Sequence, residues 1–439
     1  MRAIGGRVLL VLAALIGEAA LVATPASAQQ PNIVVILTDD QRADTLWVMP
    51  PVQKLADRGV RYTNAFVPTS MCCPSRTSLL TGRYSHSTGI WGNRVPRGGF
   101  HVFVDTDTLA TRLDAAGYQT ALIGKYLHEY DGSRIPPGWD RWFAFVHGGD
   151  YYRYSVLDQQ QLVSFGTRRA DYATDVLAGE AESFIAEADP ASPLFLYLAP
   201  FAPHYPAIPS RRYQGTFRGI EPWRPPSYNE PDDSDKPRWI RKRLPIESGP
   251  MDAFRQDQLE SLLSVDDMVS GVIGALRDSG RLHNTLIVFT SDNGVAWGEH
   301  KLSGKHTPYD AASHVPLVVR WDGGVQAGTV DRGIVAANVD VAATILGAAG
   351  VSEDGVEGVS LLEGRSSMLE EAVRQSRRPA YCGVRTRSRL YVGYVSGEEE
   401  LYNLKRDPWE LHNRADRTSD DLTRLRELAD SLCGGKVPT

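Results

Sequence analysis

The most regular hydrophobic pattern in the chain is the unbroken run Asn32-Ile33-Val34-Val35-Ile36-Leu37-Thr38. Such a run predicts a strand buried on both faces, as in a parallel sheet. It ends in Asp39-Asp40. A short helix is expected over 51–57, then Gly59 and a strand near 60–66. A helix over 108–116, closed by Gly117, leads into a strand over 119–123. Another helix over about 172–188 precedes a strand over 194–199. A long amphipathic helix runs from about Phe254 to Arg277, with Leu259, Leu262, Val269, Val272, Ile273 and Leu276 on one side. The strand 285–290 follows and ends in Ser291-Asp292-Asn293-Gly294. Strands that alternate with helices predict an α/β fold built on a doubly wound sheet.

Two regions depart from that alternation. The stretch 205–250 is rich in Pro, Arg and Asp and has no period, so it reads as a long loop, which in a compact domain is usually functional or mobile. From about Ser352 the pattern changes to short strands and a final helix near 422–432, which predicts a small C-terminal subdomain. At the other end, Arg2 and Arg7, an apolar core from Val8 to Ile16, and Ala26-Ser27-Ala28 form an export signal over 1–28. Glu18 interrupts the apolar stretch, which is short for a membrane span, so cleavage after Ala28 is preferred to a retained anchor. The expected organisation is a signal peptide (1–28), an α/β domain (29–351) and an α+β subdomain (352–439). The mature protein would be secreted or held in the cell envelope, with no membrane contact.

Charge and cysteine content narrow the function. The formal net charge is −6 and becomes −7 once Arg2, Arg7 and Glu18 leave with the signal. That mild acidity argues against a dedicated nucleic-acid binder. Four cysteines are few for a disulfide scaffold. Cys382 and Cys433 are left as a pair whose bonding the sequence does not decide, because it does not fix their distance.

The most informative stretch is Cys72-Cys73-Pro74-Ser75-Arg76-Thr77-Ser78-Leu79-Leu80-Thr81-Gly82. Pro74 suits the first turn of a helix, residues 75–81 continue it, and Gly82 stands past its end. Arg76 would lie one turn from Cys72, placed to hold it and neutralise charge. Two adjacent cysteines before a helix would by themselves be an ordinary buried pair. The run, however, resembles the sulfatase signature Cys-x-Pro-Ser-Arg-x-x-x-Leu-Thr-Gly at all seven specified positions. The resemblance implies an alkaline-phosphatase-like doubly wound fold with a small C-terminal antiparallel subdomain. It also implies that a formylglycine-generating enzyme oxidises Cys72 to an aldehyde whose hydrate is the nucleophile. A sulfated serine would need a second displacement at sulfur. A hydrated aldehyde has a second hydroxyl, whose deprotonation expels sulfate and restores the carbonyl.

Asp39-Asp40 and Asp292-Asn293 both follow buried strands, and ligands of open parallel sheets collect at the carboxyl ends of their strands. Either pair alone would more often be a turn or a helix cap. Together they make an oxygen-only site suited to Ca²⁺ or Mg²⁺ and poor for zinc. The resemblance gives the same assignment: Asp39, Asp40, Asp292, Asn293 and the modified Cys72 hold one ion, which polarises the nucleophile and a sulfate oxygen.

Three further segments carry the resemblance. Gly124-Lys125-Tyr126-Leu127-His128 follows a strand, and implies that Lys125 binds sulfate and that His128 helps to deprotonate the diol. Met71-Cys72-Cys73-Pro74 and Gly124-Lys125-Tyr126-Leu127 resemble the glucosamine-6-sulfatase group, which has Asn in the slot of His128; other sulfatases have His. Ala202-Pro203-His204-Tyr205-Pro206 implies His204 as the acid that protonates the leaving alcohol. Gly304-Lys305-His306-Thr307-Pro308-Tyr309-Asp310 implies Lys305 as a second sulfate-binding lysine and an alternative leaving-group acid, with Asp310 in a slot where the family has Glu. His300 and His306 are read as outer or surface residues. Arg238, Arg241, Lys242 and Arg243 would hold a polyanionic chain at the pocket rim, although such a charge run is more often a solvated face.

The expected activity is hydrolysis of sulfate monoesters, those of a sulfated sugar foremost. The alternatives are a phosphonate or phosphate ester hydrolase of the same superfamily and a catalytically dead carbohydrate-binding relative.

Overall fold

The computed structural model describes residues 30–434, so the expected export segment lies outside the described residues. Ten strands form the main sheet. In chain order they are β1 (Asn32–Thr38), β2 (Val60–Tyr62), β3 (Gln119–Gly124), β4 (Arg141–Phe145), β5 (Ser155–Asp158), β6 (Gln161–Ser164), β7 (Leu194–Ala199), β8 (Thr285–Ser291), β9 (Leu317–Trp321) and β10 (Thr329–Asp331). Across the sheet the order is β10-β2-β9-β8-β1-β7-β3-β4-β5-β6. The central strands β8, β1, β7, β3 and β4 run parallel. Antiparallel pairing enters at both sides, through β9 against β8 and through the β4-β5-β6 meander.

The continuous apolar run of β1 is explained by what covers it. Ile33, Val35 and Leu37 pack on one layer with Leu79, Leu109, Leu113 and Ile345. Val34 and Ile36 pack on the opposite layer with Leu55, Leu177, Leu262 and Val269. Alternate side chains of a strand point to opposite faces, so a strand with helices on both sides has no polar face. The helices are α1 (Pro50–Asp57), α2 (Cys72–Thr81), α3 (Leu109–Ala115), α4 (Ala173–Glu187), α5 (Ser248–Asp278) and α6 (Val339–Ala349). Thr108 caps α3, its side chain accepting from the Thr111 amide at 3.4 Å.

Two expected elements differ. The strand anticipated over 60–66 is two pieces. Val60–Tyr62 joins the main sheet, while Ala65–Phe66 leaves it to pair with Ala336–Ala337. Helix α5 starts at Ser248 and not near Phe254. Pro250 reads as the end of a loop, yet it lies in the first helical turn, where its missing N–H costs nothing. The rest of 205–247 is irregular except for one turn of helix, Arg238–Arg241.

Beyond residue 352 lies a separate antiparallel sheet of β11 (Ser367–Ala372), β12 (Tyr381–Thr386), β13 (Arg389–Tyr394) and β14 (Glu399–Asn403), followed by α7 (Asp420–Cys433). Cys382 and Cys433 are disulfide-bonded, with Cα atoms 6.3 Å apart, so α7 is tied to β12. Among the described residues no helix is long and apolar enough to cross a membrane.

Candidate active site

Strands β1 and β8 are parallel neighbours with Thr38 opposite Ser291. Their carboxyl ends therefore leave the sheet side by side, and Asp39-Asp40 meets Asp292-Asn293 there. The Asp292 amide donates to Thr38 O at 3.0 Å, and the Asp40 amide donates to Asp292 Oδ1 at 3.2 Å. Asp40 has φ 67°, a left-handed conformation that Asp tolerates better than most residues. Cys72 is the first residue of α2, which is buried along its whole length. Pro74 lies in the first turn, and Gly82 (φ 67°) closes the helix. A Cβ at Gly82 would approach Val356 Cγ1 to 2.6 Å, so this glycine also permits the close passage of a later segment.

Asp39, Asp40, Cys72 and Asp292 each present one ligand atom, all within 4.8 Å of one another. Asn293 Oδ1 is buried without a hydrogen-bond partner beside them, while its Nδ2 donates to Asp40 and to Gly294 O. A buried, unpartnered carbonyl oxygen next to three carboxylates makes a group that could hold a metal ion. Cys72 Sγ is the single soft atom of the group.

Cations surround the carboxylates. Arg76 is fully buried; its Nε donates to Asp292 Oδ2 at 2.8 Å, one terminal nitrogen donates to Lys125 O at 2.9 Å, and the other lies 3.4 Å from Asp39 Oδ2. A hydrogen bond to the Cys72 side chain, expected from a spacing of one turn, is not among them: the guanidinium reaches past Cys72 to the strand-end carboxylates. Lys125 pairs with Asp39, and its Nζ lies 3.7 Å from Cys72 Sγ. Lys305 pairs with Asp40, and its Nζ lies 2.8 Å from Cys72 Sγ.

The electrostatic consequences are uneven. Burial works to raise the Asp39 carboxyl, but Lys125, His204, Arg76 and Lys305 together hold it well below the usual range. Asp292 moves the other way, raised by burial and by Asp39. Burial, then Asp292 and Asp39, pushes the Cys72 thiol well above its ordinary value. An unmodified Cys72 would therefore stay a neutral thiol, a poor nucleophile. Burial works to lower both lysines, but Asp39 keeps Lys125 charged and Asp40 does the same for Lys305.

The two predicted histidines occupy different settings. His204 Nε2 lies 3.7 Å from Asp40 Oδ2, and its Nδ1 is 2.6 Å from Tyr205 O. It can approach Asp39 and Cys72 closely enough to share their cluster. His128 is pushed down to about 2 by burial and by Lys125, so it is neutral, and its Nε2 is buried without a partner. Its backbone N–H donates to Cys73 Sγ at 3.2 Å, which gives the second cysteine a packing role. All the residues expected at the site except Arg76's direct contact to Cys72 are thus brought to one place.

Several positioning residues carry no local sequence pattern. Asn93 Oδ1 accepts from the Cys73 amide at 2.9 Å. Gln258 donates to Pro203 O at 2.9 Å, and Tyr151 donates its hydroxyl to His204 O at 2.7 Å, so α5 and the 151 turn both brace the His204 loop. Only His204's place after a strand end hints at such bracing. Of the two histidines read as outer or surface residues, His300 is buried and His306 is half-buried. His300 is 2% exposed and bonded to Glu230 at 2.7 Å; His306 has a buried Nδ1 without a partner. Asp310 pairs with Arg385, and its amide is held by Glu410 at 3.2 Å, which links the Lys305 loop to the C-terminal sheet. In the 238–243 run, Trp239 and Ile240 are buried while Arg238, Arg241 and Lys242 are exposed, the pattern of a solvated face.

Comparison with known proteins agrees with this arrangement. A family model described as "Sulfatase" matches residues 31–351, and one described as "N-sulphoglucosamine sulphohydrolase, C-terminal" matches residues 298–432. The extracellular sulfatase SULF-1 homolog of Drosophila melanogaster is 35% identical over 74% of this chain and 30% of its own length. This chain therefore spans about a third of that relative. N-acetylglucosamine-6-sulfatase of Homo sapiens is 32% identical over 90% of this chain and 83% of its own length. A solved structure of a protein in complex with its substrate D-glucosamine-2-N,6-O-disulfate superimposes with a TM-score of 0.82 at 24% identity, covering 93% of this chain and 98% of that one.

Proposed function

This chain belongs to the sulfatase family, and we propose that it hydrolyses sulfate monoesters carried on a glucosamine-type sugar. The observation that carries the reading is the convergence of Lys305 Nζ (2.8 Å) and Lys125 Nζ (3.7 Å) on Cys72 Sγ, against a wall of carboxylates. Two ammonium groups aimed at one atom suit a site that binds a tetrahedral anion beside its nucleophile. The names of the human relative and of the C-terminal family model both support an aminosugar as the carrier.

Oxidised to formylglycine by its generating enzyme, Cys72 would supply a hydrated aldehyde as nucleophile with a built-in exit for sulfate. Asp39, Asp40, Asp292 and Asn293 would hold one Ca²⁺ or Mg²⁺ ion, which would polarise the oxygens it binds. Arg76 fixes Asp292 and Asp39 in register and balances their charge. Lys125 and Lys305 attract and orient the sulfate. His204, at the mouth and partly solvated, is placed to protonate the departing alcohol, and His128 has an unpartnered Nε2 for the diol proton but is a weak base while burial and Lys125 hold its pKa low. Export of the mature protein is part of the same reading, supported by the extracellular relative.

The test is sulfate release from N-acetylglucosamine 6-sulfate, measured beside the matched phosphate and phosphonate esters, on protein whose Cys72 peptide has been weighed. Sulfate turnover far above phosphate and phosphonate turnover, with the aldehyde present, is expected. Faster phosphonate or phosphate turnover would overturn the sulfate assignment. Sugar binding without turnover, at an unmodified Cys72, would make the protein a binding relative.

A further inference from the structure

Lys305 stands on backbone that does not hold itself in place. Gly304 (φ 110°) and His306 (φ 72°), on either side of it, both have positive φ, and this conformation is unfavourable for a residue with a Cβ such as His306. It persists where the surroundings impose it. One set of ties comes from the segment that leads into Cys72. The His306 amide donates to Ser70 O at 3.0 Å, the Thr307 amide donates to Ser70 Oγ at 3.0 Å, and that hydroxyl donates to Thr307 O at 2.9 Å.

The other set comes from the C-terminal sheet and converges on Arg385 of β12. Its guanidinium is fully buried and uses each nitrogen for a different tie: Nε for Glu370 of β11, Nη1 for Asp310, and Nη2 for Pro308 O at 2.8 Å. Its Cζ stands over the Phe66 ring, 4.3 Å from the centroid. Between Pro308 and Asp310, the Tyr309 hydroxyl donates to Glu400 of β14 at 2.7 Å. Three consecutive residues of the Lys305 loop are thus fixed to the C-terminal sheet. The same sheet holds the nucleophile's side. Glu371, next to Glu370 on β11, donates its amide to Pro68 O at 2.9 Å, and its carbonyl accepts from Thr69 Oγ1 at 2.9 Å. Stability alone does not call for such a hub. A guanidinium buried among three carboxylates (Glu410 is the third, at 3.7 Å) is hard to desolvate, and apolar contacts of the same volume would join the two parts as well. What the ionic hub adds is direction, because a planar fork fixes where each partner stands.

We propose that Arg385 is a positioning residue for Lys305: through it, the C-terminal sheet sets the distance between the Lys305 ammonium and residue 72. Arg385 has no exposed surface, so it acts through the loop and does not touch substrate. This inference rests on the sulfatase reading, in which Lys305 binds the sulfate, and deepens it. The C-terminal subdomain is then part of the construction of the anion site.

The experiment is a double-mutant cycle on protein that carries the aldehyde at position 72. Arg385→Lys keeps the charge and loses the fork. Asp310→Ala cuts the tie on the loop side and leaves Arg385 with Glu370 in the sheet. Each is made in the wild type and in Lys305→Ala. Two quantities are measured: kcat/KM for a nitrophenyl sulfate, whose easy departure keeps the Lys305→Ala arm measurable, and the inhibition constant of inorganic sulfate. In the wild-type background each variant should lower kcat/KM by about tenfold or more and weaken sulfate inhibition by a similar factor. In the Lys305→Ala background neither should add more than about a twofold loss, because the group they position is gone. A merely structural role lowers the melting temperature and gives losses that multiply with that of Lys305→Ala. Multiplying losses, or unchanged kcat/KM and sulfate inhibition for both variants in the wild-type background, would overturn the proposal. Should Arg385→Lys not fold, Asp310→Ala, at a partly exposed position, carries the cycle alone. Aldehyde-bearing wild type without turnover would instead overturn the sulfatase reading, and the cycle is then read from inorganic sulfate binding by calorimetry.

Discussion

The backbone N–H of Asp40 donates to Asp292 Oδ1 at 3.2 Å, while Arg76 Nε holds the other oxygen of the same carboxylate at 2.8 Å. One side chain thus joins two strand ends and a buried guanidinium. Asp292→Asn keeps the shape but removes the charge, and activity should fall at least about 100-fold with the fold retained. Asp292→Ala should do the same and also lower stability by about 3–5 kcal/mol, since it strands Arg76 in the interior. Circular dichroism with denaturant titration separates the two effects. Wild-type stability in Asp292→Ala would show that the Arg76 pair has no structural weight. Chelation of divalent ions should likewise abolish turnover, and stoichiometric zinc on histidines would contradict the assignment.

The two cysteines of the α2 start should behave differently. Mass analysis of the peptide is expected to find the aldehyde at Cys72 and an unaltered thiol at Cys73. Cys72→Ala should remove turnover. Cys73→Ala should leave the modification in place and cost stability through the lost packing against the His128 amide. An active preparation with only free thiol at position 72 would end the formylglycine reading.

Proton delivery to the leaving group can be read from substrate reactivity. An alkoxide leaves poorly without a proton, whereas a nitrophenolate does not need one. His204→Ala, or Lys305→Ala, should therefore steepen the dependence of rate on leaving-group pKa, with sugar sulfates hurt far more than aryl sulfates. His128→Ala should slow both kinds alike. Identical slopes for wild type, His204→Ala and Lys305→Ala would remove both residues from the acid role.

A pH effect is expected away from the chemistry. His300 is buried against Glu230 (2.7 Å) and Glu410 (3.9 Å). Burial works to lower its pKa, but the two carboxylates raise it from 6.5 to about 9. A proton bound more tightly in the folded state stabilises it fully below pH 6.5, and the benefit is lost as pH rises through 9. Glu410, raised to about 7 by burial and by Asp310, shifts stability in the same direction. The gap in unfolding free energy between wild type and His300→Gln should be steady below pH 6.5. It should then shrink by an amount on the order of 1–3 kcal/mol by pH 9.5. A gap that does not change with pH would show that His300 carries no extra proton.

The parts of this protein that are legible in its sequence are those in which local pattern and tertiary role coincide. Buried parallel strands need unbroken apolar runs, so β1 and β8 are visible, and the polar pairs that end them are visible with them. Lys125 and His204 follow strands β3 and β7 for the same reason. The first turns of α5 are obscured because Pro250 breaks a helix almost everywhere except where it occurs here. The braces Gln258–Pro203 and Asp310–Arg385 join residues 55 and 75 apart, and nothing in either neighbourhood marks the partner. Composition does not separate an outer from a surface place for His300 and His306; the fold buries His300 and leaves His306 half-buried with its Nδ1 enclosed.

Helix α2 has no exposed residue from Cys72 to Thr81, and its first turn is pinned by Asn93. On the formylglycine reading, an oxidising enzyme needs access to a cysteine that the folded protein encloses in a buried helix. Maturation and folding therefore compete in time. The same reading predicts that oxidation precedes folding, and that a molecule which folds first stays inactive. Refolding an unmodified preparation in the presence of the oxidising enzyme, but not incubating the folded one with it, should recover activity.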